Sequence, residues 1–339
     1  MSVKRPEHLS LLSRALIGEH PSIIRLRQLI DRVGKSKART ILIYGETGTG
    51  KGLVARLLHE ASSRAGAPFV DINCAAIPGP LLESELFGHE KGSFTGAVGH
   101  KQGLIEAADG GTVFLDEVRE LEPVMQAKLL TLLDTSRFRR VGAVRSTEVD
   151  VRFIAATNKI LLGEVKAGAF RDDLYYRLQV VAINIPPLRE RGDDILMLAH
   201  AHLEACNRVH GSSMTKFEPE VEDVFRKYSW PGNVRELENM IERICLLEEG
   251  HTVRLDHLPD RIIRETRRRT TASALPDTVA IGKGYHAATA EYQKNLIREA
   301  LMIAHGNLGN AAARLELTRH ALRHQMLKFG LAPGDEPDA

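Results

Sequence analysis

The chain has 339 residues, 43% hydrophobic and 27% charged, with a formal net charge of +2. That length can hold two or three folded units, and no apolar run approaches the roughly 18 residues of a membrane span, which excludes a membrane-spanning protein. Met1 to His8 lack the apolar stretch of a secretory signal, so the expected compartment is the cytoplasm, where Cys74, Cys206 and Cys245, far apart and without Cys-x-x-Cys spacing, read as buried reduced thiols.

From Pro21 to about Leu188 apolar strand-like runs alternate with amphipathic helices, the pattern of an α/β parallel sheet with flanking helices. Strands are expected over Thr40–Tyr44, Phe69–Asn73, Thr112–Leu115, Val151–Ala155 and Val180–Ile185, and helices over Ser22–Val33, Gly52–Ala61, Pro123–Asp134 and Arg171–Leu178. The strand runs are continuous rather than alternating, as suits strands covered on both faces. After Pro186-Pro187 the pattern turns wholly helical, with Asp193–Arg208, Pro219–Tyr228 and Asn233–Leu247 forming a small helical lid over residues 189–263. Residues 264–284, with Arg267-Arg268-Arg269, Pro276 and two glycines, show no hydrophobic period and read as a linker. A last helical unit follows over residues 285–339, and the basic residues that matter for partners collect there.

Gly45-Glu46-Thr47-Gly48-Thr49-Gly50-Lys51 stands between a strand and a helix and has the spacing of a P-loop. Glycines let backbone N–H groups converge on phosphate, the helix N-terminus adds positive potential, and Lys51 reaches the outer phosphates, so ATP is the expected ligand. Gly52 stands where most P-loops carry a Ser or Thr hydroxyl for Mg²⁺. The metal must then lean on Asp116, and the neighbouring Glu117 can activate water; both follow the apolar strand Thr112-Val113-Phe114-Leu115. The combination points to hydrolysis rather than binding alone.

Glu85-Leu86-Phe87-Gly88-His89-Glu90-Lys91-Gly92-Ser93-Phe94-Thr95-Gly96-Ala97 resembles the signature loop of the AAA+ activators of sigma-54 RNA polymerase, the bacterial enhancer-binding proteins. The resemblance runs from about Leu16 to Leu331. It implies that Gly92 to Ala97 contact sigma-54, chiefly through Phe94 and Thr95, with Ser93 in place of the family's usual Ala. It places Ile17 and Gly18 near the adenine, makes Asn73 a switch that holds the catalytic Glu117, and makes Asn158, after Thr157, a sensor of the γ-phosphate. The family usually has Glu at the position of Gly52, so that residue departs from both patterns.

Phe170-Arg171-Asp172-Asp173-Leu174-Tyr175-Tyr176-Arg177 resembles the family's arginine-finger segment. The resemblance implies that Arg171 and Arg177 complete a neighbouring subunit's site in a hexamer or heptamer; taken alone, they would read as surface partners of Asp172 and Asp173. Trp230-Pro231-Gly232-Asn233-Val234-Arg235-Glu236 is similar to the second sensor. There Asn233 is expected to cap a helix, Glu236 to complete a capping box, and Arg235 to reach phosphate.

The C-terminal unit resembles a Fis-type helix-turn-helix, which implies double-stranded DNA, upstream enhancer elements, as a partner. Ala311, Ala312, Leu315, Leu322, Met326 and Leu327 would pack inward, leaving Thr318, Arg319, His320, Arg323 and His324 towards base edges and Arg314 and Lys328 towards phosphate. Glu316 sits in the turn where the family commonly has Gly. Only about a dozen residues precede the first match, so control by a separate regulatory partner protein, a co-activator or expression level is expected. Two other readings are a regulator of ordinary polymerase with a vestigial ATPase and a general AAA+ remodeller; the carboxylates and paired arginines disfavour the first, the loop and the helix-turn-helix the second.

Overall fold

The computed structural model describes residues 16–273, 285–304, 307–315, 317–329 and 331. The chain divides after Arg267 into two compact units.

In the first unit, helix α1 (Pro21–Gly34) leads into strand β1 (Thr40–Tyr44), α2 (Lys51–Glu60), β2 (Phe69–Asn73) and α3 (Gly79–Phe87). A narrow hairpin, β3 (Gly88–His89) and β4 (Lys101–Gln102), precedes β5 (Thr112–Asp116) and α4 (Pro123–Thr135). A second hairpin, β6 (Arg137–Phe138) and β7 (Thr147–Glu148), is followed by β8 (Arg152–Thr157), α5 (Asp172–Leu178) and β9 (Ala182–Asn184). The main sheet is parallel, in the order β2-β5-β8-β1-β9.

The apolar runs are continuous because successive side chains serve two cores. Ile41, Ile43, Phe114, Ile154 and Ala156 pack with Ile23, Val54 and Leu58 on one face. Leu42, Val113, Leu115 and Ala155 pack with Leu129, Leu132 and Leu174 on the other. Alternate side chains of a strand point to opposite faces, so a strand sandwiched by helices has no polar side. The buried Arg152 guanidinium donates to the carbonyls of Val33, Gly34 and Ala38, closing the orphaned end of α1. The last strand is shorter than the apolar run from Val180 suggested, because Val180 lies outside the sheet at 62% exposure.

The lid contains α6 (Asp194–His210), α7 (Pro219–Lys227) and α8 (Asn233–Leu247), with a two-stranded parallel pair between β10 (Lys216–Phe217) and β11 (Thr252–Val253). Its core centres on Trp230, fully buried between Phe225 and Tyr228, whose indole N–H donates to the Phe225 carbonyl at 2.8 Å. Helix α9 (Asp260–Ser273) corrects the expected linker: residues 264–273 are helical. Ile262 and Thr266 lie buried one turn apart, with the Thr266 hydroxyl on the Ile262 carbonyl at 2.8 Å, so a polar-looking stretch is anchored by inward-facing residues. Residues 274–284 lie outside the described residues. No helix among the described residues is long and apolar enough to cross a membrane.

The second unit comprises α10 (Tyr285–Ile303), α11 (Leu308–Arg314) and α12 (Arg319–Lys328) around Ile297, Ala300, Ala311, Ala312, Leu322 and Met326. Asn307 caps α11 through the amides of Gly309 and Asn310, and the Thr318 hydroxyl accepts from Ala321 N at 3.2 Å to start α12. Leu317 N closes the intervening turn on the Ala312 carbonyl at 2.9 Å. Glu316 and the side chains of Leu327 and Lys328 lie outside the described residues.

Candidate functional site

The phosphate loop leaves β1 at Tyr44, which stands in register with Thr157 at the end of β8, while Asn73 and Asp116 end β2 and β5 side by side. Carboxyl ends of parallel strands are where such sheets bind ligands. Gly48 and Gly50 have φ of +80° and +99°, turns that a residue with a Cβ rarely makes. At Gly48 the reason is also steric, since an added Cβ would lie 2.1 Å from the Gly232 carbonyl oxygen. Gly45 is closed in by the Thr49 hydroxyl, which donates to the Glu46 carbonyl at 2.8 Å.

Lys51 opens α2 and is only 7% exposed. Its Nζ donates to the Gly45 carbonyl at 3.1 Å and stands 3.3 Å from Glu117 Oε1. Glu117 holds φ +52°, a left-handed backbone uncommon for glutamate and of the kind found where a side chain must be aimed. Its other oxygen accepts from Asn158 N at 3.4 Å, and the Asn158 amide donates to the Thr47 hydroxyl at 3.3 Å. The sequence-assigned Lys51, Glu117, Asn158 and Thr47 therefore form one connected chain. Asn73 is not in it: its Oδ1 accepts from Ala75 N at 2.9 Å within its own turn.

Asp116 accepts from Glu117 N at 3.0 Å and forms no salt bridge among the described residues. Burial raises its carboxyl above the usual aspartate range, with nearby Lys51 acting the other way. A half-buried carboxylate without a salt-bridge partner among the described residues fits a divalent cation. Mg²⁺ is usually held by one or two carboxylates together with water and phosphate oxygens, a part that Asp116 could take. Gly52 leaves room: a Cβ there would stand 3.7 Å from Phe114, ordinary contact distance.

Several residues that local motif reading passed over complete the site. The Arg189 guanidinium grips Glu46 with bonds of 2.9 and 2.6 Å, and these hydrogen bonds hold the Glu46 carboxyl below its usual range. Arg191, 1% exposed, donates to the carbonyls of Pro186 and Thr49, and burial lowers its pKa to about 10. Asp194 accepts from Glu19 N and His20 N at 2.6 and 2.9 Å, fastening the segment of Ile17 and Gly18 to the lid. All three sit in the Arg189-Glu190-Arg191-Gly192-Asp193-Asp194 run, a charge-rich stretch inside an otherwise apolar junction, which was the available signal.

Asn233 is not the cap expected of it. Gly232 occupies that position, and the Asn233 amide instead crosses to the phosphate loop. Glu236 does reach back, accepting from Gly232 N at 2.9 Å. Arg235 is exposed beside Gly48 and forms no salt bridge among the described residues.

Residues 88–102 form a loop on a pinched stem. An added Cβ at Gly88 would meet the Lys101 carbonyl at 2.4 Å, and one at Gly103 the Leu86 carbonyl at 2.5 Å. Beyond the stem, Phe94 is 41% exposed with its ring edge against His89, and Val98 is 84% exposed. The β6–β7 hairpin, unmarked in the sequence reading, lies alongside: Glu90 N donates to the Val141 carbonyl at 3.0 Å, and Ser93 crowds Gly142. Arg140 ties the two by pairing with Glu90 and Glu106.

Arg171 and Arg177 stay on their own surface, paired with Asp173 and Asp134, each 47% exposed. In the second unit, Thr318, Arg319, His320, Arg323 and His324 are all exposed on and before α12.

Residues 16–184 match the family described as the sigma-54 interaction domain, and residues 189–275 the AAA+ ATPase lid domain. The chain is 45% identical to the nitrogen fixation protein VnfA of Azotobacter vinelandii over 93% of its own length and 59% of that protein's. It therefore spans about three-fifths of that relative. It is 42% identical to the luminescence regulatory protein LuxO of Vibrio campbellii, covering 90% of this chain and 67% of LuxO. To the regulatory protein AtoC of Escherichia coli it is 39% identical, covering 94% and 68% respectively. Among solved structures, NtrX from Brucella abortus in complex with ADP superposes with a TM-score of 0.69 at 34% identity, covering 96% of this chain and 72% of that one.

Proposed function

From the premise that this chain belongs to the AAA+ sigma-54-dependent transcriptional activators, we propose that it hydrolyses ATP and uses the energy to remodel sigma-54 RNA polymerase from a closed to an open promoter complex. The observation that carries this reading is the pairing of a rigid phosphate cradle, Gly45 to Lys51 with Asp116 and Glu117, with an exposed Phe94-Thr95 loop fixed at its stem to the same α/β core.

Lys51 binds and neutralises the outer phosphates. Asp116 would hold Mg²⁺, which would supply charge neutralisation on the phosphates. Glu117 accepts the proton of the attacking water, and its bonds to Lys51 and Asn158 N keep the carboxylate aimed. Arg171 and Arg177 act in a ring, exchanging their own-subunit acids for a neighbour's phosphates, which makes turnover depend on assembly. The exposed Arg319, His320, Arg323 and His324 read upstream double-stranded DNA from α12.

The test is Glu117→Ala, assayed for nucleotide binding, turnover and opening of a sigma-54 promoter by the polymerase. Retained binding with turnover down at least about a hundredfold and no opening is expected. Opening at the wild-type rate by this variant would contradict an ATP-driven mechanism.

A further inference from the structure

Asn233 is fully buried and holds φ +52°, a backbone that asparagine tolerates better than most residues but that still needs compensation. The compensation crosses from the lid to the phosphate loop. Nδ2 donates to the Thr47 carbonyl at 3.0 Å and to Glu46 Oε2 at 3.2 Å, while Oδ1 accepts from Leu188 N at 2.8 Å. Two residues on, Arg235 N lies 3.3 Å from the Gly48 carbonyl, and the Gly232 carbonyl occupies the space that a Cβ on Gly48 would need. Three residues of the lid turn, Gly232, Asn233 and Arg235, thus lie against three of the loop, Glu46, Thr47 and Gly48.

The chemistry of this contact selects an amide. A carboxylate at position 233 would face the Thr47 carbonyl and the Glu46 carboxylate with no proton to offer, and an alkyl group would leave Thr47 and Leu188 N unpaired in a buried site. Glu46 is itself pinned by Arg189, so the partner of the amide is held still.

We propose that Asn233 is the positioning residue that sets the register of the lid on the phosphate loop and thereby presents Arg235 to the outer phosphates. The proposal rests on the reading of the cradle as an ATP-hydrolysing site. Asn233 itself does not touch nucleotide. It fixes the first turn of α8, and Arg235, with no acid to hold it among the described residues, takes its direction from that turn. The same latch makes the lid sensitive to the loop, since any movement of Thr47 or Glu46 breaks bonds that compensate for the backbone of Asn233.

The experiment compares wild type, Asn233→Ala, Asn233→Asp, Arg235→Ala, Asn233→Ala with Arg235→Ala, and Asn233→Asp with Glu46→Gln, in steady-state ATPase assays and in binding of a fluorescent ATP analogue. Asn233→Ala and Arg235→Ala should each lower kcat/KM about tenfold, the size expected for one or two lost hydrogen bonds. The double variant should be no worse than the poorer single one, within about twofold, because both changes remove one contact. Asn233→Asp should be the most impaired single variant, and Glu46→Gln should restore at least about threefold of its loss, because amide and carboxylate then exchange ends. Losses that multiply in the double variant, a silent Arg235→Ala, or a failure of Glu46→Gln to rescue would overturn the proposal. Wild-type protein without ATPase activity would instead sink the reading on which it rests.

Discussion

Two glycine-rich stretches of this chain, Gly45–Lys51 and Gly88–Gly103, have similar composition and opposite surroundings. In the first, Gly45 and Gly48 are crowded and the polar groups satisfied: Gly48 has a carbonyl 2.1 Å from where its Cβ would be, and Lys51 is bonded on two sides. In the second only the stem is crowded. A Cβ at Gly92 or Gly96 would meet nothing within 4 Å, and the side chains of Phe94, Thr95 and Val98 are exposed. The cradle therefore demands glycine at Gly48 for packing as well as for its positive φ, whereas Gly92 and Gly96 at the loop tip are demanded by positive φ alone.

The contrast can be broken most severely at Lys51. Lys51→Ala should abolish detectable turnover, a loss of about two to three orders of magnitude, because a buried charge aimed at phosphate is removed. Retained turnover would mean that the cradle is not the site. Next comes a matched pair of glycine substitutions. Gly48→Ala must both displace Gly232 and hold φ +80°, and should destabilise by about 2–4 kcal/mol in urea unfolding. Gly92→Ala, at φ +78° in open space, should lose only about 1 kcal/mol. Equal losses would remove the distinction between the stretches.

Gly52→Ala sharpens the comparison from the other direction. The position is helical and has room, so the substitution should raise stability by about 0.5–1 kcal/mol in the same assay without loss of ATP affinity. A fall in affinity would show that the bare backbone at Gly52 is needed by the ligand.

The smallest effect concerns Glu46 and Arg189. Both side chains are about 40% exposed, so screening keeps the pair to about 0.5–1 kcal/mol or less. Because the Glu46 carboxyl is held low, the contribution is present above the unfolded glutamate value of about 4.3 and is lost as pH falls through the lower folded value. Arg189→Ala should therefore lower Tm by about 1–3 °C at pH 7, and calorimetry should show the gap closing below about pH 4. A gap that persists at pH 3 would assign the effect to packing instead.

The strands Thr40–Tyr44 and Phe69–Asn73 were legible in the sequence to the residue: the first is an apolar run buried on both faces, and the second, an edge strand with Asp71 and Asn73 exposed, is marked by Phe69, Val70 and Ile72. The cradle was legible because its residues are contiguous. What was not legible joins residues distant in sequence. Asn233 and Glu46 are 187 positions apart, and Asp194 and Glu19 175, so no local spacing could announce either contact. Asn233 was misassigned as a cap because a turn of Pro-Gly-Asn before a helix satisfies the local rule, and a long-range partner outbid it. Helix α9 extends into the stretch read as a linker, where Ile262 and Thr266, buried one turn apart, are the inward residues of a run rich in Arg and Thr. The hairpin carrying Arg140 and Val141 gave no signal, since its strands are two residues each.

The claim that the cradle supplies energy and the loop delivers it is tested most directly by Thr95→Ala, with ATPase rate and sigma-54 promoter opening measured on the same preparation. Thr95 is exposed on the loop beyond its pinched stem. The account predicts an ATPase rate within about twofold of wild type, as for a surface change outside the site, together with the loss of open-complex formation. Undiminished opening by Thr95→Ala, with ATPase intact, would contradict it.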